Sequence, residues 1–201
     1  MRHPPFIGSE PAGGIMLDHL RADINRLHRY GSTESTIRLL VFNQGLWACT
    51  CYRVGRWLNE QELPPGIRQL VMLPYHFWWK WVEMSTGISI SPDCHIGPGL
   101  YIGHFGQIIL HGDVVMGTDC NISQGVTLGL ASKDGKWGVP TVGDRVYIAP
   151  GAKVIGPIHL ADGTVVGANA VVLDSTEEND VVGGIPAKVI SRRGSADFIK
   201  P

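Results

Sequence analysis

The sequence has little net charge, no CxxC cysteine pair and no long apolar run, and each of these shortages excludes a class of protein. Its 201 residues carry a formal net charge of -1 and no basic stripe to neutralise phosphates, so we expect no nucleic-acid partner. The four cysteines include no CxxC pair, which favours free thiols over a metal site and indicates a reducing, cytoplasmic location. Apolar stretches near residues 70–84 are interrupted by charged residues and Pro74, so no membrane span is predicted.

Three regions of the chain differ in composition and in the spacing of their apolar residues. Residues 1–14 are rich in proline and glycine without periodicity, which predicts a flexible arm. Residues 15–86 carry apolar side chains at helical spacing and predict an N-terminal helical domain. Three helices are expected there, the second running without a break from Ile37 to Leu58 and the third from Ile67 to about Met84. A further domain is expected over 87–190, followed by a C-terminal tail over 191–201.

From Ile90 onward an apolar residue returns at every sixth position. A period of six fits neither an α-helix nor a simple alternating strand, but it is typical of a parallel β-helix in which three hexapeptides make one coil. Stacked coils bury each other's inner faces. The predicted interior residues are Ile90, Ile96, Ile102, Ile108, Val114, Cys120, Val126, Val142, Ile148, Val154, Leu160, Val166 and Val172.

The period is interrupted once. The gap from Val126 to Val142 spans 16 residues, which is not a multiple of six, so a loop over 129–138 is predicted to leave the coil. Loops that leave a regular scaffold often carry function. A tolerated insertion without a role is the alternative.

Residues 88–190 resemble the serine acetyltransferases and their hexapeptide-repeat relatives. The matching segments are residues 125–129, 151–156, 167–172 and 183–188, the last of which reads Gly-Gly-Ile-Pro-Ala-Lys. The resemblance implies a mostly β fold, a left-handed parallel β-helix preceded by an α-helical region. It also implies acetyl-CoA as co-substrate with no permanently bound cofactor and no metal, and a homotrimer or dimer of trimers with active sites between neighbouring coils.

Acetyl transfer to a hydroxyl needs a base to accept the hydroxyl proton, and histidine suits this task near neutral pH. His104 follows a glycine at an expected corner, Gly103, and occupies the position of the resembling family's general base. His111, seven residues further on, could line the same cleft and position the acceptor, or could be a surface residue. Ser89 stands where the family has an aspartate that orients the base.

The resemblance also places coenzyme A along an edge of the coil, where small residues let it lie against the main chain. Three cations near the end of the coil, Lys188, Arg192 and Arg193, could meet its phosphates or be plain solvated charges. The residues expected to bind coenzyme A are Gly129, Leu130, Ala131, Pro150, Gly151, Gly167, Ala168, Lys188 and Arg192.

Four positions depart from the family's pattern. Ser89 and Gly103 replace aspartates, Val139 replaces a histidine before a proline, and the segment containing Tyr30 replaces an Arg-Asp-Pro-Ala motif. Free serine carries an ammonium that needs an anionic partner once desolvated. We therefore expect an O-acetyltransferase whose acceptor is a sugar hydroxyl of a glycan or glycan precursor.

Two alternatives remain open. One is an L-serine O-acetyltransferase of cysteine biosynthesis, and the other is a weakly active homologue that binds coenzyme A as a scaffold. The chain ends Ile199-Lys200-Pro201, whereas family members that dock onto cysteine synthase usually end in isoleucine. Docking onto cysteine synthase is therefore not expected.

Overall fold

A computed structural model describes residues 12–31 and 35–200. Most of the expected arm, residues 1–11, lies outside the described residues. Four helices come first: α1 (Ala12–Arg29), α2 (Thr36–Phe42), α3 (Gln44–Glu60) and α4 (Pro65–Thr86). Within 12–31 and 35–200, none of them combines the length and apolarity that crossing a membrane requires.

The expected second helix is in fact two helices, and Asn43 separates them. Its backbone is extended, with φ -97° and ψ 106°. The Asn43 side chain accepts a hydrogen bond from the Leu46 N–H at 2.8 Å and so caps the start of α3, a position that asparagine favours. Its own N–H donates to the Leu39 carbonyl at the end of α2. One residue thus ends one helix and begins the next.

Helix α4 is longer at both ends than the apolar pattern predicts. It begins at Pro65, because proline's missing N–H has no cost in the first turn of a helix. It ends at Thr86, and the following Gly87 caps it with a φ of 67°, a left-handed conformation that glycine adopts readily.

Short strands follow among the described residues, most of them two or three residues long. They are β1 (Ile88–Ile90), β2 (His95–Ile96), β3 (Tyr101–Ile102), β4 (Ile108–Leu110), β5 (Val115–Met116), β6 (Asn121–Ile122), β7 (Thr127–Gly129), β8 (Ala131–Lys133), β9 (Lys136–Gly138), β10 (Thr141–Val142), β11 (Tyr147–Ile148), β12 (Lys153–Ile155), β13 (His159–Leu160), β14 (Val165–Val166), β15 (Val171–Val172), β16 (Val181–Gly184) and β17 (Ala187–Ser191).

These strands form a left-handed parallel β-helix with three flat faces. Face A has the strand order β1-β4-β7-β12-β15, face B β13-β10-β5-β2, and face C β17-β16-β14-β11-β6-β3. Pairing within the faces is parallel except between β16 and β17, which form an antiparallel hairpin at the last coil. The predicted fold class is confirmed.

Every predicted interior residue is buried, but the spacing of the coils is less regular than a strict period of six. Ile90 pairs with Leu110, whereas Leu110 pairs with Leu128, so the first coil takes 20 residues and the second 18. Apolar residues still recur at every sixth position despite the longer first coil. The reason is that both outer residues of a three-residue strand, such as Ile108 and Leu110, point inward. The two additional residues of the first coil fall in the turn between β3 and β4, which contains His104.

The C-terminal residues pack against the first helix. The Tyr30 hydroxyl donates to the Phe198 carbonyl at 2.8 Å, and its ring stacks on Tyr101 at 4.1 Å. Arg26 donates to the Lys200 carbonyl at 2.8 Å. Tyr30, which stands in the segment that departs from the resembling family, therefore anchors the chain end to the coil.

Candidate active site

His104 and two of the predicted coenzyme A turns, those at Pro150 and Gly167, lie along one edge of the β-helix. Backbone hydrogen bonds of 2.9 Å join successive turns there: Gly125 N–H to Gly106, Gly151 N–H to Gln124, and Asn169 N–H to Pro150. We call this edge, formed by residues 103–107, 124–125, 150–151 and 167–169, the His104 edge. It brings His104 together with Pro150, Gly151, Gly167 and Ala168.

The turn that carries His104 projects from this edge. His104 and Phe105 are exposed, and Gly106 has a φ of 108°, which a residue with a side chain rarely adopts. No described residue forms a hydrogen bond with the His104 side chain. The imidazole is therefore available to a bound substrate or a neighbouring subunit.

A cavity of about 540 Å³ opens on the outer surface of face A beside the His104 edge. Gln107, the last residue of the His104 turn, contributes to it. Ser89 lies in this cavity, at the centre of β1. The lining residues are Glu83, Gly87, Ser89, Gln107, Ile109, Thr127 and Lys153.

Lys153 is a cavity residue that sequence reasoning missed. Its ammonium donates to the Gly125 carbonyl at 2.5 Å and to the Thr127 hydroxyl at 3.1 Å. The available signal was its position. Four residues pair in register across consecutive strands of face A, and none of their side chains is part of the buried interior: Ser89, Ile109, Thr127 and Lys153. Lys153 alone among these four is charged.

Glu83, on the last turn of α4, was missed as well. Its carboxylate accepts a hydrogen bond from Lys80 at 2.7 Å. This bond holds the pKa of Glu83 below its usual range, and the Ser89 hydroxyl acts in the same direction. Glu83 is therefore an ionised carboxylate at neutral pH, although α4 gave no sequence signal that it would reach the coil.

His111 lies at the other end of β4 from the His104 turn. Six residues separate the two histidines, and the three of them that form β4 alone span roughly 10 Å along the strand. The His111 Nδ1 accepts a hydrogen bond from the Asp113 N–H at 3.2 Å. The structure does not bring His111 and His104 together within one chain.

The predicted loop is a β-hairpin, formed by β8 and β9. The coil from Met116 to Val142 takes 26 residues, against 18 from Val142 to Leu160, and the additional residues form this hairpin. At its tip Asp134 and Gly135 both have positive φ, 50° and 77°, as a two-residue type I′ turn requires. Lys133 binds Asp174 at 2.6 Å and holds the hairpin against the last coil.

The predicted coenzyme A residues therefore form two groups at opposite ends of face A. Gly129, Leu130 and Ala131 lie at the base of the hairpin, where β7 ends. The turns at Pro150 and Gly167 lie on the His104 edge, from which the strands of face A begin. A single chain does not bring the two groups together.

All three predicted phosphate-binding cations are exposed, and Lys188 and Arg192 are paired with carboxylates. Lys188 lies 4.0 Å from Asp174, and Arg192 lies 3.0 Å from Glu177 and 3.5 Å from Asp180. They stand four residues apart on and just beyond β17, so they are separated by roughly 13 Å. The pairs with Asp174 and Glu177 are exposed on both sides, and such pairs are weak and exchange readily for a phosphate.

Comparison with known proteins identifies the relatives of this chain. Residues 140–174 match the family model "Bacterial transferase hexapeptide (six repeats)". A serine acetyltransferase of Synechococcus elongatus is 33% identical over 180 residues, which cover 89% of this chain and 70% of that protein. A crystal structure of serine acetyltransferase from Brucella abortus matches with a TM-score of 0.77 and 26% identity over 92% of this chain and 72% of its own.

A solved serine acetyltransferase complex with CoA matches with a TM-score of 0.74 and 27% identity, over 89% of this chain and 71% of its own. These relatives are thus named for serine, not for a sugar. The expectation of a glycan hydroxyl as acceptor is wrong. The similarity to serine acetyltransferases extends over about nine tenths of the chain, whereas the departures from the family's pattern affect four positions.

Proposed function

Because the chain belongs to the serine acetyltransferase family, we propose that it catalyses transfer of the acetyl group of acetyl-CoA to the hydroxyl of L-serine. The predicted enzyme class, an O-acetyltransferase that uses acetyl-CoA, is confirmed by this membership. The observation that carries the proposal is the placement of His104 beside a cavity that contains both a carboxylate and an ammonium.

The chemistry assigned to His104 follows from its position and residue type. Its imidazole accepts the proton of the acceptor hydroxyl as the oxygen attacks the thioester carbonyl. The tetrahedral intermediate then collapses, the carbon–sulfur bond breaks, and the protonated imidazole returns the proton to the departing sulfur. The turns of the His104 edge hold the pantetheine chain against the backbone, so that both substrates meet at His104.

We further propose that the active enzyme is a homotrimer. Several large apolar side chains on the coil are exposed in the single chain, among them Ile109, Trp137 and Ile190. A neighbouring coil would cover such residues and could bring the hairpin of one subunit to the His104 edge of the next. Sedimentation equilibrium should give a molecular mass of three chains or a multiple of three. A stable, active monomer would contradict this.

The proposed reaction is tested by following release of coenzyme A with L-serine and a panel of sugars as acceptors. We expect a kcat/KM for L-serine of about 10⁴ M⁻¹s⁻¹ or above, within the ordinary enzymatic range. Release with a sugar but not with serine would contradict the proposal. Binding of acetyl-CoA without release for any acceptor would contradict it too, and would support the scaffold alternative.

A further inference from the structure

The cavity on face A contains one negative and one positive side chain. Glu83 is the only carboxylate and Lys153 the only ammonium among its lining residues. Glu83 enters from α4, next to Ser89 at the first strand of the face. Lys153 belongs to the fourth strand. The two charges are therefore separated along the direction in which the strands of face A stack, within the same cavity.

The distance between the two charges can be estimated from the number of strands that lie between them. The Lys153 ammonium reaches back to the Thr127 hydroxyl and so lies near the level of β7. Ser89 lies two strands away, on β1, because Ser89 pairs with Ile109 and Ile109 with Thr127. At about 4.8 Å per strand the two levels are roughly 10 Å apart. An α-amino acid with a hydrogen bond at each end spans roughly 8–9 Å.

Each charged group retains capacity to bind a ligand. An ammonium has three donors, and Lys153 uses one for the Gly125 carbonyl and one for the Thr127 hydroxyl. A carboxylate offers about four acceptor sites. The hydrogen bond of Glu83 with Lys80 is largely exposed on the lysine side, and such surface pairs are weak.

We propose that Glu83 binds the α-ammonium of the acceptor amino acid and Lys153 binds its α-carboxylate. This inference rests on the proposed function, of which it names the residues that determine acceptor specificity. It also explains how a chain with Ser89 and Gly103 in place of two aspartates can accept a zwitterion. The carboxylate is supplied by α4 instead of by the first coil.

The experiment compares Glu83→Gln and Lys153→Met with the native enzyme in steady-state kinetics. Each variant should raise the KM for L-serine by about 10- to 100-fold, the usual effect of losing one charged hydrogen bond. The KM for acetyl-CoA should stay within about threefold. Glu60→Gln removes a carboxylate on α3 outside the cavity and should leave both constants unchanged.

Competitive inhibitors separate the two roles. 3-Hydroxypropionate lacks the ammonium, so Glu83→Gln should not weaken its inhibition, whereas Lys153→Met should weaken it. Ethanolamine lacks the carboxylate and should show the opposite pattern. Lys153→Arg keeps the charge and should restore most of the serine affinity that Lys153→Met loses.

The outcomes distinguish the two proposals. If the native enzyme acetylates serine but Glu83→Gln and Lys153→Met change its KM by less than threefold, the inference is overturned and the proposed function stands. If both variants weaken acetyl-CoA and serine equally, the cavity does not hold the amino acid and the inference is again overturned. If the native enzyme does not acetylate serine, the proposed function fails. Calorimetric binding of L-serine to the native protein and to Glu83→Gln then still tests the inference, which equal affinities would overturn.

Discussion

Asp23 of α1 and Arg53 of α3 form a buried ion pair with two hydrogen bonds, 2.9 Å and 3.0 Å long. Arg53 also donates to the carbonyls of Ile96 and Gly97 in the first coil, and Asp23 accepts the N–H of Leu100 at 2.8 Å. The pair therefore joins two helices to one corner of the β-helix. Burial raises the pKa of Asp23, and the Arg53 guanidinium opposes that effect.

We expect Asp23→Ala to lower the free energy of unfolding by about 3–5 kcal/mol, because it leaves a buried guanidinium without its counter-charge. Urea denaturation followed by circular dichroism measures this. Asp18→Ala is a matched control, since Asp18 pairs with Arg21 on the exposed side of the same helix, where such pairs contribute at most about 1 kcal/mol. Equal losses in the two variants would show that the buried pair has no special role.

A second prediction concerns the contact between α3 and the coil. A Cβ atom at Gly45 would clash with the Ile102 carbonyl oxygen, which is backbone and cannot move aside. We expect Gly45→Ala to lower the unfolding free energy by about 1–3 kcal/mol, as overpacking does. Gly66, in the first turn of α4, has no neighbour within 4 Å of the same position.

Gly66→Ala is therefore the control for Gly45→Ala, and it should raise stability by up to about 1 kcal/mol through helix propensity alone. Thermal melts of the two variants and of the native protein measure these changes in stability. A Gly45→Ala variant as stable as the native protein would mean that α3 does not lie against Ile102.

The cysteines give a third prediction. All four are free and buried, and burial raises the pKa of Cys51, Cys94 and Cys120 to about 12 and that of Cys49 as well. A thiol reagent attacks the thiolate, so at pH 8 the native protein should react at none of the four within the time in which unfolded protein reacts at all. Titration with a chromogenic disulfide, with and without urea, measures this. Rapid labelling of the folded protein would show that the cysteines are accessible.

The sequence predicted the β-helix well because its interior repeats on a fixed period. Burial of one apolar residue on each face of every coil is a local requirement, and Ile96, Ile102 and Val114 all show it. The two additional residues of the first coil could not be predicted in this way. Ile108 and Leu110 both point inward, so the six-residue spacing of apolar residues continues without a visible interruption. Likewise, the split between α2 and α3 depends on one capping residue, Asn43.

The cavity was beyond sequence reasoning for a different reason. Glu83 and Lys153 are 70 positions apart in the chain, and only the packing of the end of α4 against face A places them around one space. The acceptor was predicted wrongly because Ser89 and Gly103 carry no charge where the resembling family has aspartates. Spacing along the chain does not indicate that a carboxylate on α4 lines the same cavity as Ser89.

The fourth prediction concerns His104 itself, whose role remains a proposal. We expect His104→Ala to lower kcat by about 10²–10⁴-fold, the range for one positioned acid–base group. Its stability should stay close to that of the native protein, because the exposed imidazole forms no hydrogen bond with any described residue. Coenzyme A release under saturating acetyl-CoA and L-serine measures the first effect, and a thermal melt measures the second.

Two further histidine variants make the result specific. His159 is exposed on face B and contacts the Thr141 hydroxyl at 2.9 Å, away from the His104 edge, so His159→Ala should keep full activity. The activity of His111→Ala shows whether a neighbouring subunit completes the site. Within one chain His111 lies too far from His104 to act on the same substrate. A large loss of activity in this variant would mean that a neighbouring subunit brings His111 to the site. If His104→Ala retains turnover within a few-fold of the native enzyme while His111→Ala does not, the base is His111, and the long turn between β3 and β4 serves only to bind substrate.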